Sequence, residues 1–85
     1  MHDDYKAISF AKSQDRRLAV KVGAFLSARF GRKISHKIRV EAIEGVIYLK
    51  GEVPDKEIAD SIREAVKGVP GVEGVISKLK VPDST

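Results

Sequence analysis

IRVEAIEGVIYLKGEV, residues 38–53, reads as two β-strands joined by a tight turn at Glu44-Gly45. Apolar and polar residues alternate in both halves, which is the period expected of strands with one buried face. Gly45 accepts the positive φ that such a connection requires. The run Val46–Leu49 is apolar on both faces, which favours a central position for the second strand. The residues predicted to face the core are Ile38, Val40, Ala42, Ile47, Leu49 and Val53.

Helical patterns flank this hairpin on both sides. The first helix is predicted to begin at Ser13 as N-cap, with Asp15 in its first turn, and to end at Phe30 before Gly31. The second helix is predicted to follow Asp55 as N-cap. At 100° per residue, their core stripes are Leu18, Val22, Phe25 and Leu26 in the first helix and Ile58, Ile62, Ala65 and Val66 in the second.

A third strand ends the pattern in GVPGVEGVISKLKV, residues 68–81. Val75, Ser77, Leu79 and Val81 are expected to face inward. The order α-β-β-α-β predicts an α+β fold, a two-layer α/β sandwich whose three-stranded mixed sheet carries two helices on one face. A right-handed crossover makes the second and third strands parallel if they are neighbours, and the strand order itself stays open.

Length and composition predict one small domain. Residues 1–12 are expected to form an N-terminal arm that is flexible or extends the first helix, residues 13–81 the domain, and residues 82–85 a polar tail. The absence of cysteine excludes disulfides and thiolate metal sites. No apolar run approaches the ~18 residues of a membrane span, and the first residues show no signal-peptide pattern.

The positive charge is concentrated in the first helix and the first strand. Residues 16–44 carry eight basic and two acidic residues, in a chain of net charge +4. Val20, Ala24 and Ala28 lie opposite the core stripe, and a weakly apolar helix face with basic flanks can lie on a bilayer or on a partner. An ordinary solvated face is the alternative. The candidate residues for binding lipid or other anions are Arg16, Arg17, Lys21, Arg29, Arg32 and Lys33.

The uncovered face of the sheet is an alternative site. Its candidate residues are Lys37, Arg39, Tyr48, Lys50, Lys78 and Lys80. A basic sheet with an aromatic residue can bind single-stranded nucleic acid by stacking, but a single tyrosine makes this the weakest of the binding hypotheses. Protein–protein interaction or self-association through this face or an edge strand is the stronger alternative.

The sequence offers little basis for catalysis. His36 has no predictable acidic partner or nucleophile, and general base catalysis needs both placement and a partner. Glu57, Asp60 and Glu64 share a helix face with Arg63 and Lys67, which favours local ion pairing over a metal site. We therefore expect no enzyme activity, no metal and no cofactor.

Several of these features together resemble the BON domain family. The resemblance rests on the first-helix stripe, on Gly45-Val46, on LKGEV at residues 49–53, and on Gly71-Val72 followed by Val75, Leu79 and Val81. It implies a non-enzymatic module associated with phospholipid or membrane-surface attachment, periplasmic or envelope location and osmotic-stress proteins. It implies no particular binding residue. The expected function is attachment to anionic phospholipid through the basic first helix, or alternatively binding to an envelope protein, with nucleic acid an unlikely partner.

Overall fold

The computed structural model describes the backbone of residues 2–82 and the side chains of residues 14–82. Its elements follow one another as α1 (His2–Phe30), α2 (Arg32–Ser35), β1 (Ile38–Ile43), β2 (Val46–Glu52), α3 (Lys56–Lys67) and β3 (Gly74–Lys80). The predicted order α-β-β-α-β is confirmed. The one-turn helix α2 is an addition that the sequence pattern did not indicate.

The three strands form one mixed sheet in the order β1-β2-β3. β1 and β2 pair antiparallel, and their turn has positive φ at both central residues, 51° at Glu44 and 86° at Gly45. Such a turn matches the twist of the strands it joins, and it sets Ile43 opposite Val46. β2 pairs with β3 in parallel. The central position of β2 and the mixed sheet are therefore confirmed.

The core lies between this sheet and the two longer helices. α3 begins as predicted, because the Asp55 carboxylate accepts a hydrogen bond of 2.9 Å from the Ile58 amide. Both predicted helix stripes contribute to the core, and each fully buried aliphatic side chain contributes about 1.5–3 kcal/mol. The buried residues are Val22, Leu26, Ile47, Leu49, Val53, Ile62, Val66 and Val69.

Two sequence predictions at element ends are wrong. α1 begins at His2 and not at Ser13, because residues 2–12 contain no glycine or proline that would end a helix before the predicted cap. Val81 does not face the core but is 40% exposed, since β3 ends at Lys80 and Pro82 follows. Of the predicted polar tail, residues 83–85 lie outside the described residues.

Candidate binding surfaces

The outward face of α1 presents an exposed apolar residue between cations. Val20 is 66% exposed, and Arg16, Arg17 and Ala24 around it are exposed as well. Arg16 and Arg17 precede Val20 by four and three residues, which is the spacing of neighbours on one helix face. The predicted weakly apolar face with basic flanks is therefore on the surface, pointing away from the sheet.

The six predicted anion-binding residues are all exposed but do not form one cluster. Lys21 lies to the side of the helix, where its ammonium donates a hydrogen bond of 3.1 Å to the Pro70 carbonyl. Arg29 lines a groove between α1 and the end of α3. Arg32 and Lys33 belong to α2, beyond the end of α1. Arg16 and Arg17 are therefore the members that the fold places together around Val20.

The cations from Arg16 to Lys33 directly follow Asp15 but have no acidic residue among them. No Asp or Glu occurs between Asp15 and Glu41. Among the described side chains, all three ion pairs lie on α3, where Arg63 and Lys67 pair with Asp60 and Glu64 at 3.1–3.8 Å. The local pairing predicted for α3 is confirmed, and none of these ion pairs involves a cation of residues 16–33.

Asp15 has a role that sequence reasoning missed. Its carboxylate accepts hydrogen bonds from the Glu44 amide at 3.0 Å and the Gly45 amide at 3.4 Å. The helix thereby holds the β1–β2 turn, whereas the sequence placed Asp15 in the first turn of the helix. The contact joins residues about thirty positions apart. Because it is not local, no periodicity or short motif in the sequence predicts it.

A groove of about 530 Å³ opens where α1, this turn and the α3–β3 connection meet. Arg17 and Lys21 line it on the helix side, and Glu44 and Glu73 line it on the turn side. The Glu73 amide donates to the Gly45 carbonyl at 2.9 Å, so the connection is fixed to the hairpin. With both signs of charge in its walls, the groove has no net preference for an anion.

The open sheet face is the side of the sheet opposite the helices. One of its ends is apolar and the other is basic. Near the turn it is apolar, with Ile43 52% and Ile76 42% exposed beside the partly buried Val46 and Tyr48. Further along, Arg39, Lys50 and Lys78 lie side by side across the three strands. The sheet therefore brings together most of the alternative site, with Lys37 and Lys80 at its far end.

The described residues show no arrangement suited to catalysis. His36 is exposed in the turn before β1. No group of three His, Cys, Asp or Glu side chains within residues 14–82 could hold a metal ion. In the described part of the chain, no helix combines the length and apolarity needed to cross a bilayer.

The described residues form a small α/β sandwich whose exposed surfaces are cationic and apolar, which suits a module that binds other molecules. The family model of the BON domain matches residues 14–83. The chain belongs to the BON domain family, which confirms the resemblance drawn from its sequence. This is an envelope-associated family of modules linked to phospholipid binding and not known for catalysis. No curated protein matches the chain.

Proposed function

We propose that this chain is a non-enzymatic module that attaches to anionic phospholipid surfaces through the outward face of α1. The observation that carries the proposal is Val20, a 66% exposed apolar residue beside Arg16 and Arg17 in a stretch without acidic residues. Family membership supports the same function, because BON domains are linked to phospholipid binding.

Electrostatic attraction supplies most of the binding free energy in this arrangement. Each Lys or Arg close to an anionic leaflet contributes about 1 kcal/mol. Val20 and the neighbouring alanines add only a shallow apolar contact, as expected of a helix lying parallel to the surface. Binding does not require Arg16 or Arg17 to leave an ion pair with another described side chain, since those ion pairs lie on α3.

The same family membership supports residence in the bacterial envelope, on the periplasmic side, and a part in osmotic stress. Cell fractionation tests the location. Recovery of the native protein only with cytoplasmic markers would contradict the periplasmic assignment, while leaving lipid binding in vitro to be judged separately.

Co-sedimentation with vesicles tests the proposed function. We expect the chain to pellet with vesicles containing phosphatidylglycerol and to stay in solution with vesicles of phosphatidylcholine alone. Raising the salt from low to physiological concentration shortens the Debye length to about 8 Å and should weaken the binding steeply. Equal binding to both vesicle types would contradict an electrostatic attachment.

Charge reversal on α1 locates the site. Arg16→Glu/Arg17→Glu should abolish pelleting with anionic vesicles without unfolding the domain, because both residues are exposed. Extending the reversal to Lys21 should have the same result, but it also removes the hydrogen bond to Pro70, so the double variant is the cleaner test.

A matched control lies on the other side of the molecule. Lys50→Glu/Lys78→Glu changes the net charge of +4 by the same amount, leaving the chain formally neutral, but on the open sheet face. It should keep most of the vesicle binding. If the two double variants lose binding equally, only net charge matters and the α1 site is wrong.

A further inference from the structure

The basic row across the open sheet face is a local arrangement of like charges. Lys50 on β2 has Arg39 on one side and Lys78 on the other, in register on adjacent strands. Directly opposed like charges destabilise a sheet, and neighbouring strands are only about 4.8 Å apart. None of the three takes part in an ion pair among the described side chains. Glu41 and Glu52 lie on the same face, two residues from Arg39 and Lys50 along their strands, but the row itself contains only cations. Local features that cost stability are expected at functional surfaces.

The apolar end adjoins this row directly. Tyr48 and Ile76 are neighbours in register, one step along the strands from Lys50 and Lys78. Ile43 and Val46 continue the apolar surface toward the turn. A partner that covered both ends would bury apolar side chains and bring negative charge to the row.

We propose that the open sheet face binds an acidic amphipathic segment of another protein, lying along the strands. Three strands about 4.8 Å apart offer a strip whose width suits one α-helix, with a diameter of about 10–12 Å. The segment would place carboxylates against Arg39, Lys50 and Lys78 and apolar side chains against Ile43 and Ile76. This site is separate from the lipid site proposed on α1.

Charge disfavours a second copy of the chain as the occupant, and the scarcity of aromatic residues disfavours nucleic acid. A second copy of this chain placed face to face would bring basic residues against basic residues, apart from Glu41 and Glu52. Nucleic acid would meet a single aromatic residue, Tyr48, which has Glu41 as its cross-strand neighbour. Isoleucines beside it offer apolar contact but no stacking of bases.

The test selects partners without assuming their sequence. A display library of helical peptides, randomised among Leu, Ala, Gln, Lys and Glu, is panned against the full chain. We expect the enriched peptides to be acidic, with Leu and Glu on one helix face. Their amide shift perturbations in the labelled chain should centre on residues 39–50 and 74–78.

Variants of the full chain then test whether the peptides bind at the open sheet face. Affinity should fall about tenfold or more in Lys50→Glu/Lys78→Glu and should be unchanged in Arg16→Glu/Arg17→Glu. Ile76→Thr keeps the β-branched shape and the net charge. It should lower the affinity for the peptide and leave vesicle binding unchanged. Circular dichroism checks that each variant is folded.

Four results would overturn the proposal. They are no enrichment over bare support, enrichment of basic or neutral peptides, peptide affinities insensitive to the sheet-face reversal, and shift changes confined to α1. Binding of oligothymidylate that Tyr48→Ala abolishes would assign the face to nucleic acid instead. A dimer in sedimentation equilibrium that dissociates in Lys50→Glu/Lys78→Glu would assign it to a second copy.

Discussion

Gly51 occupies a position on β2 that has no room for a side chain. Its φ is 137°, and a Cβ atom there would collide with the Lys37 carbonyl oxygen and approach the Ile38 Cα to 3.0 Å. The obstacle is backbone of the neighbouring strand, which cannot rotate away as a side chain could. The glycine in LKGEV is therefore required by the close approach of β1.

Replacing two glycines by alanine should have opposite effects. Gly51→Ala should lower the free energy of unfolding by about 2–3 kcal/mol, through backbone strain and the collision with β1. Gly23→Ala should raise it by roughly 0.5–1 kcal/mol, because Gly23 lies inside α1 and a Cβ there meets nothing within 4 Å. Urea denaturation of the full chain measures both. A gain in stability from Gly51→Ala would contradict the close approach at Gly51, and a loss from Gly23→Ala would contradict the open space at Gly23.

The sequence pattern predicted those helices and strands, and that strand pairing, which depend on residues close together in the chain. Alternation identified β1 and β2, and the Glu44-Gly45 turn fixes their register, so Arg39 opposite Lys50 follows from the sequence. The register of β3 against β2 does not follow, because the connecting helix leaves it to tertiary packing. The same limit explains why the link from Asp15 to the hairpin and the groove beside it were missed.

The basic row makes a prediction about the sheet itself. Lys50→Glu replaces two like-charge neighbours by two opposite-charge neighbours, and each cross-strand pair is worth about 0.2–1 kcal/mol. The free domain should therefore become more stable, even as it loses the proposed acidic partner. Urea denaturation at low salt measures the gain, and Lys50→Gln, which only removes the charge, should gain less.

Salt provides the control for this prediction. At about 1 M salt the Debye length falls to about 3 Å, and the difference between Lys50→Glu and the parent should shrink. A loss of stability in Lys50→Glu, or a gain that salt leaves unchanged, would show that the row imposes no electrostatic cost. The basic row would then give no reason to expect an acidic partner.

The whole molecule is a thin two-layer body with the two proposed sites on opposite sides. Its dimensions are 55 × 24 × 19 Å, and the helices cover one face of the sheet only. The outward face of α1 and the open sheet face therefore point away from each other, with the helix layer and the sheet between them. The helix layer alone is about 10–12 Å thick, which exceeds the Debye length of about 8 Å at physiological salt, so occupation of one site should barely affect the other.

Simultaneous binding is the expected consequence, provided that each site has first been established alone. A fluorescent peptide from the library should pellet with phosphatidylglycerol vesicles only when the chain is present, and its affinity should be the same with and without vesicles. Arg16→Glu/Arg17→Glu should leave peptide and chain together in the supernatant, whereas Lys50→Glu/Lys78→Glu should pellet without the peptide. Competition between vesicles and peptide would mean that both use one surface, because two layers of protein otherwise separate them.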